Sequence, residues 1–494
     1  MRGLKAEQRN ALVFFAAMAL KYLLFGFRYY PILDDYIQYG GYPLYHDLSY
    51  VYFHIGTMAT RPLASLLDPL LWGSLWNCMG VSLMVITLLH FFAAYATERT
   101  LSLCGYQMSP LFWIIILFLP LGSEGAYWIS ASSRLAVGLF FAAGSLYCLA
   151  IYLKEGKKLP LALFLLFHLL SYGFYEAVSI FSFLGAYLVM LKKRETPSKA
   201  KWLPAVPMTC LVLMLTYYVL CANIGAMGSR VGGFTFLGLF GKLWDAVYQL
   251  GWIFTKGLAE LIIKGSLGGL RVLRAQGLWG AVWILAAAVA CVFVYRISKQ
   301  HGKSEKNSFR QQPWILFLCG TLLFIAPLAP NVLAETVWLP YRNIFVSLFG
   351  LALMAEPVFS AVFRGHRAKG AVCALVLFLC LVSWVNEYDT YRRVSETDIR
   401  LAENIAEQLD EEVLAGRKDA VVVLEKTPET HQANFYKDHV KSVFAADWSL
   451  TGAVRAVTKN MKIHLITPVI GEAAETEQVQ VLYMDADGHV TRCE

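Results

Sequence analysis

Long apolar runs recur along the chain as far as residue 387, and this pattern limits the possible fold more than any other feature. Each run is close to the length that crosses the hydrocarbon core of a bilayer as an α-helix, which is about 20 residues. Of the 494 residues, 57% are hydrophobic and only 16% are charged, whereas an average soluble domain has about 25% charged residues. A single soluble core is therefore excluded, and the expected class is an α-helical polytopic membrane protein.

Eleven of these runs are expected to span the membrane. They cover residues 11–27, 80–97, 109–122, 135–153, 159–174, 177–191, 203–222, 278–296, 314–329, 343–363 and 371–387. Short clusters of Lys and Arg separate many of them and mark cytoplasmic loops under the positive-inside rule. The N-terminal basic residues Arg2, Lys5 and Arg9 place that end in the cytoplasm, and we expect the first span to be uncleaved. An odd number of spans then places the C-terminus on the extracytoplasmic side.

Two further apolar segments carry charges that argue against spanning. Residues 246–264 contain three charged residues, so an amphipathic helix at the membrane interface is preferred there over a twelfth span. Residues 57–76 contain Arg61 and Asp68 inside an apolar pattern. This pattern predicts a helix that lies on the outer surface of the membrane.

The last part of the chain differs in charge and periodicity. Residues 389–494 carry 12 Lys or Arg and 19 Asp or Glu, a net charge of −7, whereas residues 1–388 carry 31 and 16, a net charge of +15. Helical patterns and short β-like runs alternate in the acidic part. They predict helices over 391–415 and 430–460 and strands over 420–425, 462–467 and 478–485. We therefore expect two domains, a transmembrane domain over 1–388 and a small extracytoplasmic α/β domain over 389–494.

The basic residues form no patch of the kind that binds nucleic acid.

Two adjacent carboxylates, Asp34 and Asp35, follow the first apolar run directly in "YYPILDDYIQYG". Membrane topology does not explain them, because acidic residues contribute little to orientation. Adjacent side chains normally face different ways, so one carboxylate can face a cavity while the other binds a partner, a cation or a backbone donor. A carboxylate at this depth is suited to general-base catalysis on an acceptor hydroxyl. The alternative is a solvated pair that caps a helix.

Six other charged residues lie in or beside predicted outer loops, where an ionisable group is costly unless it is paired, solvated or functional. They are Arg61, Glu124, Arg134, Glu176, Glu335 and Arg342. A guanidinium at the outer end of a span, as at Arg342, is suited to binding a phosphate through two hydrogen bonds. The alternatives are snorkelling for Arg342 and a salt bridge or helix N-cap for Glu124 and Glu176. The expected location of all six residues on one face favours a shared binding site.

At these residues the chain resembles the GT-C glycosyltransferases, and in particular the serotype-converting O-antigen glucosyltransferase type. The resemblance covers the layout of one span, a loop that opens with Asp-Asp, a surface helix with Arg61-Pro62-Leu63, about a dozen spans and an outer C-terminal domain. At the level of motifs it is confined to about residues 30–70, with weaker similarity in 123–134 and 335–343.

The resemblance implies a bacterial inner-membrane hexosyltransferase. Such an enzyme moves a sugar from a polyprenyl-phosphate donor to a cell-envelope glycan or glycolipid acceptor, at a site that faces the periplasm. It implies that Asp34 or Asp35 is the base, and we expect Arg342 and Arg61 to bind the donor phosphate. A divalent cation is a possible cofactor, with His46, Asp47 and His54 near the acidic pair. The alternatives are a flippase for a lipid-linked saccharide and a non-catalytic subunit of an envelope-assembly complex.

Overall fold

The computed structural model describes residues 6–40, 58–192, 201–224, 236–304, 312–334, 336–426, 441–471 and 476–492. The chain is mostly helical, with a small mixed sheet near its C-terminus. In chain order the helices are α1 (Ala6–Leu23), α2 (Pro62–Leu67), α3 (Met79–Leu103), α4 (Pro110–Phe118), α5 (Ser123–Tyr127), α6 (Ile129–Glu155), α7 (Lys158–Ser171), α8 (Glu176–Lys192), α9 (Ala205–Asn223), α10 (Phe236–Trp252), α11 (Gly265–Ala275), α12 (Gly277–Ser304), α13 (Pro313–Ile325), α14 (Ala329–Leu333), α15 (Tyr341–Val362), α16 (His366–Ala406), α17 (Glu411–Leu414) and α18 (Asp447–Thr458).

Among the described residues, eight helical segments are long and apolar enough to cross a membrane. They comprise 62–103, 110–127, 129–155, 205–223, 277–299, 313–333, 341–362 and 366–406. The other three expected spans coincide with helices as well, namely α1, α7 and α8, which are 18, 14 and 17 residues long. These helices support a multi-pass membrane protein. The count of eleven spans and the orientation of each span in the membrane stay predictions.

Residues 62–103 form one helical run of 42 residues. At about 1.5 Å per residue this run is roughly twice as long as the hydrocarbon core is thick. Its first part overlaps residues 57–76, where a surface helix is expected, and includes a π-helical turn over Asp68–Trp72 and a 3₁₀ turn over Gly73–Cys78 before α3 begins. The location of this part on the outer surface stays a prediction. The segment expected at the interface over 246–264 is also helical and is not among the eight candidate spans.

Glycines of α11, the helix that follows this segment directly, allow close packing against the long helix α16. A Cβ atom on Gly269 would collide with the carbonyl of Val382, and one on Gly268 with the side chain of Asn386. The hydroxyl of Ser383 donates a hydrogen bond to the carbonyl of Leu261 at 2.5 Å. The helices therefore touch backbone to backbone.

The sheet of the C-terminal domain has the strand order β2-β1-β3-β4. The strands are β1 (Asp419–Leu424), β2 (Val469–Ile470), β3 (Val479–Met484) and β4 (Val490–Arg492). β1 pairs in parallel with β2 and β3, and β3 pairs with β4 in the antiparallel sense. The continuous apolar run of β1 fits a central strand that is buried on both faces. The strand expected over 462–467 is reduced to a single bridge between Ala420 and Leu465.

Helix α16 joins the two parts of the molecule without a break at the expected boundary, residue 389. It runs for 41 residues from His366 to Ala406. Its last turns contribute Leu401 and Ile405 to the hydrophobic core of the C-terminal domain. Helix α18 contributes Leu450, Ala453 and Val454 to the same core. Of the helix expected over 430–460, residues 430–440 lie outside the described residues, and the described part becomes α-helical only at Asp447, after a 3₁₀ turn over Val443–Ala445.

Candidate functional site

The residues that follow α1 form a short helical segment between the transmembrane helices and the C-terminal domain, which we call loop segment 34–40. Gly26, with a φ of 75°, ends α1 in the left-handed conformation that favours glycine. A π-helical turn then covers Tyr36–Gly40. The segment has two faces, because side chains three or four positions apart share one side of a helical turn.

Asp35 lies on the face toward the transmembrane helices and is fully buried. Its Oδ1 accepts hydrogen bonds from the Ser130 amide at 3.1 Å and the Ser130 hydroxyl at 2.6 Å. Its Oδ2 accepts from the Tyr29 hydroxyl at 2.5 Å and the Ile32 amide at 3.1 Å. Four donors therefore hold this carboxyl group, which fixes loop segment 34–40 to the start of α6.

Burial dominates the electrostatics of Asp35. It raises the pKa of the Asp35 carboxyl to about 7, although the hydrogen bonds from Ser130, Tyr29 and the Ile32 amide favour the ionised form. Such a pKa suits a proton acceptor near neutral pH. The carboxyl group has no exposed surface, however, so its geometry fits an anchor better than a base.

A buried ion pair extends the same face. Arg134 of α6 donates to Asp68 Oδ2 at 3.0 Å and to Gln38 Oε1 at 2.8 Å. The Tyr39 hydroxyl lies 3.5 Å from Asp68 Oδ1 and 3.3 Å from the Ser133 hydroxyl. Asp68 is fully buried and Arg134 is 7% exposed, so Arg134 lies inside the protein, where it ties three segments of chain together.

Asp34 lies on the opposite face and is partly exposed. Its Oδ1 accepts a hydrogen bond from the indole N–H of Trp448, in the first turn of α18, at 3.2 Å. The two neighbouring carboxylates therefore point into different environments. Asp35 is held by the transmembrane helices, and Asp34 faces solvent beside the C-terminal domain.

Arg61 and Glu176 form an ion pair with two hydrogen bonds. Arg61 Nε lies 3.2 Å from Glu176 Oε1, and Arg61 Nη2 lies 3.0 Å from Glu176 Oε2. The guanidinium also lies over the ring of Tyr175, with Cζ 4.1 Å from its centroid. Both side chains are mostly buried, at 12% and 17% exposure. We expected the Arg61 guanidinium to bind a phosphate. In the structure its Nε and Nη2 groups donate to the carboxylate of Glu176 instead.

Glu124 and Arg342 also meet. The buried Glu124 side chain accepts a hydrogen bond from the Arg342 amide at 3.3 Å. The Arg342 guanidinium lies 5.7 Å from the ring centroid of Trp128 and is partly exposed at the start of α15. Glu335 lies outside the described residues.

A groove opens beside loop segment 34–40, where α1 ends and α3 begins. Its volume is about 530 Å³, and its walls come from residues 27–31, 76–81 and 84. Gly80 forms part of the floor, since a Cβ atom there would lie 2.5 Å from the carbonyl oxygen of Phe27. Among the described residues that line the groove, Arg28 is the one that carries a charge, and it is exposed. The Arg28 carbonyl accepts a hydrogen bond from the Tyr388 hydroxyl of α16, which fixes this turn.

Sequence reasoning missed Arg28 and Trp448. A signal for Arg28 was present, because the predicted topology places a basic residue directly after the first span on the side that the positive-inside rule leaves poor in Lys and Arg. For Trp448 there was none, since its contact with Asp34 joins residues 414 positions apart.

The described residues contain no group of three or more His, Cys, Asp or Glu side chains placed to hold a metal ion. His46, Asp47 and His54, which we noted beside the acidic pair, lie outside the described residues. The possible divalent cation therefore stays a prediction.

Searches against protein-family models and against curated proteins return no match to this chain.

Proposed function

We propose that the protein is a membrane glycosyltransferase that moves a sugar from a polyprenyl-phosphate donor to a cell-envelope glycan or glycolipid. The proposal includes eleven spans, a cytoplasmic N-terminus and a site that faces the exterior of a bacterial inner membrane. The observation that carries it is the groove of about 530 Å³ at the ends of two apolar helices, with the exposed Arg28 at its wall and the Asp34 carboxylate in the adjoining segment. An amphiphilic phosphate donor needs such a combination of apolar walls, a cation and a base.

In the proposed reaction the acceptor hydroxyl oxygen attacks the anomeric carbon of the donor sugar. Asp34 takes the hydroxyl proton as the new C–O bond forms. The bond between the anomeric carbon and the phosphate oxygen breaks, and polyprenyl phosphate leaves with the electron pair. Arg28 stabilises the negative charge that develops on the leaving phosphate.

The proposal assigns different roles to the other predicted site residues. Asp35 positions loop segment 34–40 through its four hydrogen bonds. Arg61, Glu176 and Arg134 hold the surrounding segments through buried pairs. Arg342 is partly exposed and remains a second candidate for binding phosphate or acceptor.

The test is transfer of label from donor to glycan. Membranes that contain the protein receive a panel of radiolabelled polyprenyl-phosphate sugars, and the label in the envelope glycan is measured. Loss of a general base lowers the rate by about 10²–10⁴-fold, so Asp34→Asn should reduce transfer to that extent. The matched control is Asp245→Asn, at an exposed carboxylate of α10, which should leave transfer unchanged.

Two results would contradict the proposal. Absence of label transfer from every donor, with lipid-linked sugar moved across the bilayer instead, would favour the flippase alternative. Full transfer by Asp34→Asn, at normal protein level, would remove the assigned base.

A further inference from the structure

Helix α18 of the C-terminal domain lies along loop segment 34–40 with matching spacing. Ala456 faces Gly40, where an added Cβ atom would lie 3.2 Å from the Ala456 Cβ. A Cβ atom on Gly452 would lie 2.8 Å from the amide nitrogen of Ile37. Every fourth residue on one side of α18 therefore lies against loop segment 34–40. Ala456 is near the C-terminal end of that segment, at Gly40, and Gly452 is closer to its N-terminal end, at Ile37.

The next residue in this series, Trp448, lies beside the proposed base. Positions 448, 452 and 456 share one side of the helix because they are four residues apart. The small residues at the other two positions allow close approach, which brings the indole within hydrogen-bond distance of Asp34 Oδ1, at 3.2 Å.

Trp448 does not serve the core of its own domain. That core takes Leu450, Ala453 and Val454 from α18, and Trp448 is 54% exposed. The indole N–H is satisfied by Asp34, so the exposed part of the side chain is mostly the apolar ring. An aromatic ring whose orientation is fixed by a carboxylate is thus presented to solvent beside that carboxylate.

We propose that Trp448 is the platform for the acceptor sugar, which stacks a pyranose ring on the indole and directs a hydroxyl toward Asp34. The C–H groups on one face of a pyranose are weakly electropositive, and they suit the electron-rich face of an aromatic ring. An ionised carboxylate can accept several hydrogen bonds at once, so Asp34 can accept one from a sugar hydroxyl while it holds the indole N–H. The inference rests on the proposed function and extends it, because it gives the C-terminal domain a part in binding the acceptor. In this scheme Trp448 binds the acceptor sugar and takes no part in the proton transfer.

The kinetic test compares two substitutions of Trp448. Trp448→Phe retains a ring and loses the N–H, whereas Trp448→Leu loses the ring. Aromatic stacking corresponds to a change in affinity of up to about tenfold. We expect Trp448→Leu to raise the acceptor KM by about tenfold and Trp448→Phe by less than about threefold, with the donor KM unchanged in both. Trp244→Leu, at a 71% exposed tryptophan of α10, is the control and should change neither constant.

A binding measurement separates this inference from the proposed function. The full chain in nanodiscs is mixed with the methyl glycosides of glucose, galactose, mannose and N-acetylglucosamine, and saturation transfer from protein to sugar is recorded by NMR. We expect a signal from at least one glycoside with the wild type and with Trp448→Phe, and its loss in Trp448→Leu. This result would support the platform even if no donor transfers its sugar.

Several outcomes would overturn the inference. They are an unchanged acceptor KM in Trp448→Leu, equal effects of the Phe and Leu substitutions, a fall in kcat alone, and the absence of saturation transfer from the wild type to every glycoside. Thermal unfolding of each variant, compared with the wild type, shows that the chain is folded in each case.

Discussion

The two faces of loop segment 34–40 are built from different kinds of contact. Toward the transmembrane helices the segment presents Asp35, Gln38 and Tyr39, which are buried and hydrogen-bonded to polar groups of α6. Toward the C-terminal domain it presents the partly exposed Asp34 and the close backbone contact with Gly452. Polar groups that are buried and fully paired fix a geometry, whereas a partly exposed carboxylate remains accessible to a substrate. The comparison therefore separates an anchoring face from the face that carries the proposed base, which we call the reactive face.

The largest effect on stability is expected on the anchoring face. Asp35→Ala leaves the Tyr29 hydroxyl, the Ser130 hydroxyl and two amides without their acceptor inside the protein. Breaking a buried polar network of this kind costs about 3–5 kcal/mol. Thermal unfolding in detergent measures the loss.

Asp34→Ala is the matched control for that substitution. The Asp34 side chain is partly exposed, so its removal should lower the free energy of unfolding by no more than about 1 kcal/mol. Equal losses of stability in the two variants would contradict the separation into anchoring and reactive faces.

The pH dependence of stability tests the environment of Asp35 more finely. Burial raises the pKa of its carboxyl to about 7 in the folded protein, whereas an Asp in an unfolded chain has a pKa of about 3.9. Between these values the folded state binds one proton more than the unfolded state. The stabilisation from this group is therefore complete below about pH 4 and is lost as the pH rises toward about 7.

The difference in unfolding free energy between wild type and Asp35→Asn isolates this contribution, because the amide does not titrate. From pH 5 to pH 7 the difference should shift against the wild type by about 2 kcal/mol. Denaturant titrations at several pH values measure it. A difference that stays constant, or that shifts in favour of the wild type as the pH rises, would show that the folded carboxyl is already ionised at pH 5.

The sequence predicted the helices well because hydrophobic runs report local structure directly. It also predicted that Asp34 and Asp35 face different ways, since this follows from adjacency in a regular backbone. It did not identify the partners of the charged residues. Arg134 pairs with Asp68 across 66 positions, and Arg61 pairs with Glu176 across 115. Such contacts depend on how the helices pack, and no periodicity in a single sequence encodes them.

The boundary of the C-terminal domain illustrates the same limit. The change of composition near residue 389 is real, but α16 continues through it to Ala406. Charge patterning reports which part of a helix is solvated, and not where the helix ends. The domain is therefore joined to the last span by a continuous helix, which limits how far it can turn relative to loop segment 34–40.

The smallest effect is expected where α18 touches the reactive face. In Gly452→Ala the added methyl group would lie 2.8 Å from the Ile37 amide nitrogen. Overpacking costs about 1–3 kcal/mol, and the better helix propensity of Ala returns up to about 1 kcal/mol, so we expect a net loss of about 1 kcal/mol. The control is Gly241→Ala. Gly241 lies in helix α10, and no atom is within 4 Å of the methyl group that alanine would add, so this substitution should raise the free energy of unfolding slightly. Hydrogen exchange over residues 34–40 should become faster in Gly452→Ala and stay unchanged in the control. Unchanged exchange in both variants would mean that α18 does not hold the reactive face.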